Sequence, residues 1–238
     1  MALHERGFTM TFPRGIIHGG RVLSTRFDRV LRDPSAMWQK GRETRPRRLP
    51  VDLHISHWTA GHCRDGVNSG GKLFRAMEAR KNKHGEDLTV SINFSVTWDG
   101  LIFQHLDLRT CAAVHVGRRD VIQRSIGTEF TWPGTSEQAR ELGIEHTPEL
   151  RVWGSQRIEC MPPSAAMLEA ARWLFDALCD LGDETDGEVA IPRITAPRER
   201  LSVPEMRAFR GFAEHGSMPG STKVDAMGYM LGIIDGGV

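Results

Sequence analysis

The stretch Val51-Asp52-Leu53-His54-Ile55-Ser56-His57-Trp58-Thr59-Ala60-Gly61 decides the fold. A short apolar run that ends in small turn residues is the pattern of a buried strand entering a turn. Side chains alternate along a strand, so His54 and His57, three positions apart, are expected on opposite faces of a sheet. His57 then stands at the strand's end, where Thr59-Ala60-Gly61 leave room beside the imidazole for a substrate. That is a good position for a metal ligand. His54 is expected in the core or behind the ligands.

Downstream, Leu73, Phe74 and Met77 share one face of a helix expected over 70–83. Leu88–Thr97 and Leu101–Leu106 read as a hairpin joined through Trp98-Asp99-Gly100, since Asp-Gly supplies the positive φ angles of a tight turn. Ser125–Phe130 reads as a further strand. The strongest helix spans Ser164–Leu181, with Pro162-Pro163 before it, Ser164 as its cap and Gly182 as its stop. Met167, Leu168, Ala171, Leu174, Leu178 and Leu181 form its expected buried stripe. Residues 183–200 read as loop. Ser202 and Glu205 have capping-box spacing, and Phe209–Ala213 could equally be a short strand. Upstream, Gly19-Gly20 between two apolar runs suggests a hairpin turn, followed by a polar Arg- and Pro-rich link. The expected fold class is α/β: a single domain with a central mixed β-sheet flanked by helices, plus a short N-terminal extension. Residues 1–49 are read as an arm and linker, and 50–238 as the domain.

At 238 residues the chain suits one ample domain. A net charge of +1 excludes strong global steering toward nucleic acid or an acidic membrane. The basic stretches Arg45–Arg48 and Arg80–Lys83 read as solvated surface. The four cysteines form no Cys-x-x-Cys pair, so a thiol zinc site or disulfide framework is not expected. The N-terminus lacks the apolar core of a signal peptide, and no run could span a bilayer, so a soluble product of cytoplasmic synthesis is expected.

A catalytic zinc takes three protein ligands and a water, with imidazole and carboxylate as suitable donors. His57, His215 and Asp225 offer such a set. The last two flank the loop Gly216–Thr222, whose glycines and proline allow it to fold back. Lys223 alternates with Asp225, which would put an ammonium beside the metal to stabilise an oxyanion. Glu129 on an otherwise apolar strand suits a general base near an activated water. With 10 histidines, spacing alone favours the plainer reading of a loop histidine and a surface Lys and Asp. His115 reads either as a surface histidine or as one lining a cleft.

The order of these motifs is more specific. His57-Trp58-Thr59-Ala60-Gly61, Val90–Phe94 leading to Asp99-Gly100, His115-Val116-Gly117, Ser125–Glu129 and His215–Asp225 together resemble the zinc-dependent N-acetylmuramoyl-L-alanine amidases. That group includes T7-type lysozymes, cell-wall recycling amidases and peptidoglycan recognition proteins. The resemblance spans roughly residues 50–230. It implies zinc on His57, His215 and Asp225, catalysis by Glu129 and Lys223, and substrate contacts from Thr59, Asn93 and His115. It also implies a peptidoglycan or muropeptide substrate, no nucleic-acid or membrane partner, and a monomer. Asp225 precedes Ala226-Met227-Gly228 where the family has Pro-Gly, which keeps a non-catalytic peptidoglycan-binding protein on the same fold as an alternative. An unrelated metallopeptidase or nuclease is a second alternative, disfavoured by the lack of a His-Glu-x-x-His helix and of a basic face. Synthesis without a signal peptide fits a phage endolysin acting on the wall, or a recycling enzyme.

Overall fold

The computed structural model describes residues 3–5, 8–10, 13–32, 44–58, 91–133, 136–141, 143–145, 147–221 and 228–236. The helix expected over 70–83 and the start of the expected strand at Leu88 lie outside them. In chain order the strands are β1 (Leu3–Glu5), β2 (Phe8–Met10), β3 (Ile17–His18), β4 (Arg21–Val22), β5 (Val30–Arg32), β6 (Thr44–Pro46) and β7 (Leu53–Trp58). They continue with β8 (Phe94–Val96), β9 (Ile102–Gln104), β10 (Cys111–Ala113), β11 (Ser125–Phe130), β12 (Glu149–Trp153), β13 (Gln156–Cys160) and β14 (Gly211–Glu214). The helices are α1 (Arg119–Ile122), α2 (Ser136–Glu141), α3 (Ala165–Asp180), α4 (Val203–Ala208) and α5 (Tyr229–Ile234).

Six strands form the central sheet in the order β14-β7-β11-β8-β9-β5. The pairs β14/β7, β7/β11 and β11/β8 are parallel, β8/β9 is antiparallel and β5/β9 is parallel, so the sheet is mixed as expected. In β7 only Trp58 is not fully buried, because a central parallel strand is covered on both faces. That is why it reads as an apolar run rather than as an alternation. The hairpin through Trp98-Asp99-Gly100 forms, but with positive φ at Gly100 (+82°) and not at Asp99. The β3–β4 hairpin turns through Gly19-Gly20. Strand β5 adds an edge to the sheet from within the segment read as an arm.

The two faces of the sheet carry separate cores. One lies under α3 and α5 and gathers Phe94, Ile126, Phe130, Leu174, Phe175 and Phe212. The other lies under α1 and α4 and gathers Leu53, Ile55, Val121, Met206 and Ala213. Helix α3 begins as the sequence indicates: the Ser164 hydroxyl accepts the Met167 N–H at 3.0 Å. Its buried stripe also takes in Ala170, Phe175 and Ala177, whereas Leu168 is only partly buried. Each large apolar side chain in this stripe contributes ~1.5–3 kcal/mol by leaving water. Helix α4 carries the reciprocal capping box of Ser202 and Glu205, and β14 follows directly, so both readings of that region hold.

Candidate functional site

Register places the site. In the β7/β11 pair His57 stands opposite Glu129, and in β11/β8 Glu129 stands opposite Ser95. Side chains level with each other on neighbouring strands share a face. That face carries Leu53, Ile55 and His57 on β7, and Ser125, Gly127 and Glu129 on β11. Strand β14 pairs Glu214 with Ser56, and His215 follows immediately, level with His57. Three parallel strands thus deliver His215, His57 and Glu129 at their C-terminal ends. Ligands bind at that edge of parallel α/β sheets because the connecting loops gather there.

The histidine geometry is specific. His57 Nδ1 lies 3.1 Å from His215 Nδ1, while His57 Nε2 lies 2.9 Å from His115 Nδ1. His115 Nε2 in turn meets the Ser125 hydroxyl at 2.9 Å. His57 is 3% exposed and His115 is 6% exposed, whereas His215 is half-buried and Glu129 partly exposed. The site therefore has an open side at His215 and Glu129 and a closed base at His115. Burial, reinforced by the nearby His215, His54 and Arg47, holds the His115 pKa well below the ordinary histidine value. A neutral His115 can accept the His57 Nε2–H on Nδ1 and donate its own Nε2–H to Ser125. That arrangement turns the His57 Nδ1 lone pair toward His215, the side on which the two rings can share a ligand.

Gly127 makes this chain possible. A Cβ there would sit 2.7 Å from His115 Cγ and 2.6 Å from Ile92 Cδ1, so only glycine lets the ring lie against the strand. Asn93 is fully buried beside it, its carboxamide oxygen accepting the Gly127 N–H at 3.0 Å. Glu214, fully buried, accepts N–H groups of Gly228, Met230 and Leu231 at the start of α5. Burial raises its pKa to about 8 against the pull of those three donors. On the opposite face His54 packs against Phe175 and Phe212, and its Nε2 meets Thr128 Oγ1 at 2.9 Å.

The structure thus brings together His57, His215, His115 and Glu129. It sets Asn93 at the buried base, one strand from His57. Thr59, Lys223 and Asp225 lie outside the described residues. Among the described residues no three His, Cys, Asp or Glu side chains converge as a metal site. His57 and His215 still fit part of one. Two zinc–nitrogen bonds of ~2.05 Å at a tetrahedral angle put the nitrogens ~3.3 Å apart, close to the observed 3.1 Å. Sequence reading did not single out Ser125 or Gly127. The signal for Gly127 was there: an isolated glycine inside a strand marks a close approach.

A family model described as N-acetylmuramoyl-L-alanine amidase matches residues 47–200. The chain belongs to that family. The matched region of this amidase-family chain contains His57, Asn93, His115 and Glu129 and ends before His215. Membership removes the reading as an unrelated peptidase or nuclease. Among solved structures, wild-type PGRP-LB of Drosophila is similar in fold, with a TM-score of 0.50 and 13% identity over 85% of this chain and 91% of that one. The amidase LysC of Clostridium intestinale aligns with a TM-score of 0.44 and 8% identity over 87% of this chain and 97% of that one. Human PGRP-IBETAC, solved with glycosamyl muramyl pentapeptide, gives 0.47 and 16% over 85% and 93%. A search of curated proteins returns no match. No described helix is long and apolar enough to cross a membrane.

Proposed function

We propose that the chain is a zinc-dependent peptidoglycan hydrolase that cleaves the amide between N-acetylmuramic acid and L-alanine. The observation that carries this reading is the pair of Nδ1 atoms of His57 and His215 at 3.1 Å, with Glu129 in register beside them. Asp225 completes the ligand set. Zinc held there supplies Lewis acidity toward the scissile carbonyl and lowers the pKa of water toward ~7.

His115, backed by Ser125, fixes the tautomer and direction of His57, the usual task of a group behind a metal-binding histidine. Glu129 takes a proton from the attacking water and returns one to the departing L-alanine nitrogen. Lys223 offsets the charge that develops on the substrate carbonyl oxygen. Thr59, Asn93 and His115 shape the substrate side, Asn93 and His115 from beneath. The enzyme works as a monomer, and its substrate is the wall or fragments released from it.

The test is metal analysis of purified protein combined with sequencing of the peptides released from cell wall. One zinc per chain and new L-alanine N-termini support the reading. Zinc-loaded protein that binds wall but releases nothing makes it a binding protein on the same fold. Running intact sacculi against soluble muropeptides separates a lytic role from a recycling one.

A further inference from the structure

The opposite ends of the parallel strands carry a second constellation of charged groups. A cavity of about 620 Å³ opens there, lined by His18, Pro46, Arg47, Arg48, Arg109 and Glu188 among others. Arg47 in its wall precedes β7 in the chain and donates to the carbonyl of Ser125, the first residue of β11, whereas His57 pairs with Glu129 four residues further along. At ~3.3 Å per residue the two regions are ~13 Å apart along the strand.

The charge in this cavity is not balanced. Arg47 is largely buried, and its two Nη atoms donate to the carbonyl oxygens of Gln123, Cys111 and Ser125 at 3.0, 3.2 and 3.1 Å. Among the described residues no carboxylate pairs with Arg47 or Arg48, and Arg47 Nε is buried without a partner. Among the described residues Glu188 is the one carboxylate in the lining, and His18 and Arg109 both approach it, each at 3.1 Å. Nearby Asp107 is committed to the backbone N–H groups of Gly19, Gly20, Arg109 and Thr110. His18 is 3% exposed and its Nδ1 also has no partner. A buried guanidinium supported only by carbonyl oxygens keeps its full charge, and such charges are normally compensated. Among the described residues the Arg47 Nε–H has no acceptor, and together with the exposed Arg48 it offers donors to a planar or tetrahedral oxyanion.

We propose that this cavity is a binding site for an oxyanion, a phosphate or carboxylate group, held by Arg47 and Arg48 at the end of the sheet away from the hydrolytic site. The probes are inorganic phosphate and succinate, titrated by calorimetry at constant ionic strength with chloride as the balancing anion. Arg48→Ala and Glu188→Gln alter exposed or half-exposed side chains, and near-UV circular dichroism confirms that both variants are folded. The wild type saturates with at least one probe, and the tighter of the two identifies the anion class. Binding weakens at least ~3-fold in Arg48→Ala and tightens ~3-fold in Glu188→Gln, the size of a partly screened charge contact. Failure of both probes to saturate by ~10 mM, or equal affinities in all three proteins, overturns the proposal.

Discussion

His54 and His57 belong to the same strand, three residues apart, yet their surroundings differ completely. On the face covered by α3, His54 sits among Phe175, Phe212 and Thr128, and burial drives its pKa down to about 3. On the other face His57 is held between two more imidazoles, with the carboxylate of Glu129 on the next strand. One histidine is a neutral piece of core that satisfies a threonine. The other has one nitrogen fixed by His115 and the second turned toward His215. The period of two along a strand separates these roles: both faces carry core, and only the face of His57 also carries the histidine cluster at its end.

Substitutions on the two faces should therefore fail in different assays. His57→Ala is expected to abolish zinc binding and wall hydrolysis together, read by metal analysis and turbidity loss; retained stoichiometric zinc would place the metal elsewhere. Glu129→Gln should keep zinc and the melting behaviour while lowering turnover by ~10²–10⁴-fold, the usual size of a proton-transfer contribution. Across the sheet, Phe175→Ala should cost ~3–5 kcal/mol of unfolding free energy in urea titrations, with zinc affinity unaltered in the folded fraction. Gly127→Ala tests the support of His57: by pushing the His115 ring off the strand it should lower zinc affinity by ~10–100-fold, measured by chelator competition.

The last effect belongs to His54 and is seen only in acid. Its folded pKa of about 3 lies below the ordinary 6.5, so the unfolded chain takes up a proton that the folded chain refuses. The stability is intact above pH 6.5 and falls by ~1.4 kcal/mol per pH unit toward pH 3. A His54→Gln variant should show a shallower decline in urea titrations over that window. An identical slope would mean that His54 is protonated in the fold.

Sequence legibility followed the same division. The strands β7 and β11, the Asp99-Gly100 hairpin and helix α3 were readable because burial and capping leave local patterns in residue order. His57, Glu129 and His215 stood out through residue type and order, and the structure sets them side by side. The supporting contacts were not readable. His115 looked like a loop residue because its burial depends on Gly127, twelve positions away in sequence and on another element. Arg47 read as solvated surface, since carbonyl partners on β11 and β10 leave no mark in the sequence around it. Strand β5 has three residues and joins the sheet only at an edge, too short a run to separate from an arm.

The Glu214 carboxylate has a consequence for assembly of the site. It grips the Gly228 N–H at 2.7 Å across fourteen positions, directly beside His215. That grip fixes Glu214, at the end of β14, against Gly228, at the start of α5. The entropic cost of bringing those two ends together, which grows only slowly with the length of chain between them, is met as α5 packs on the sheet.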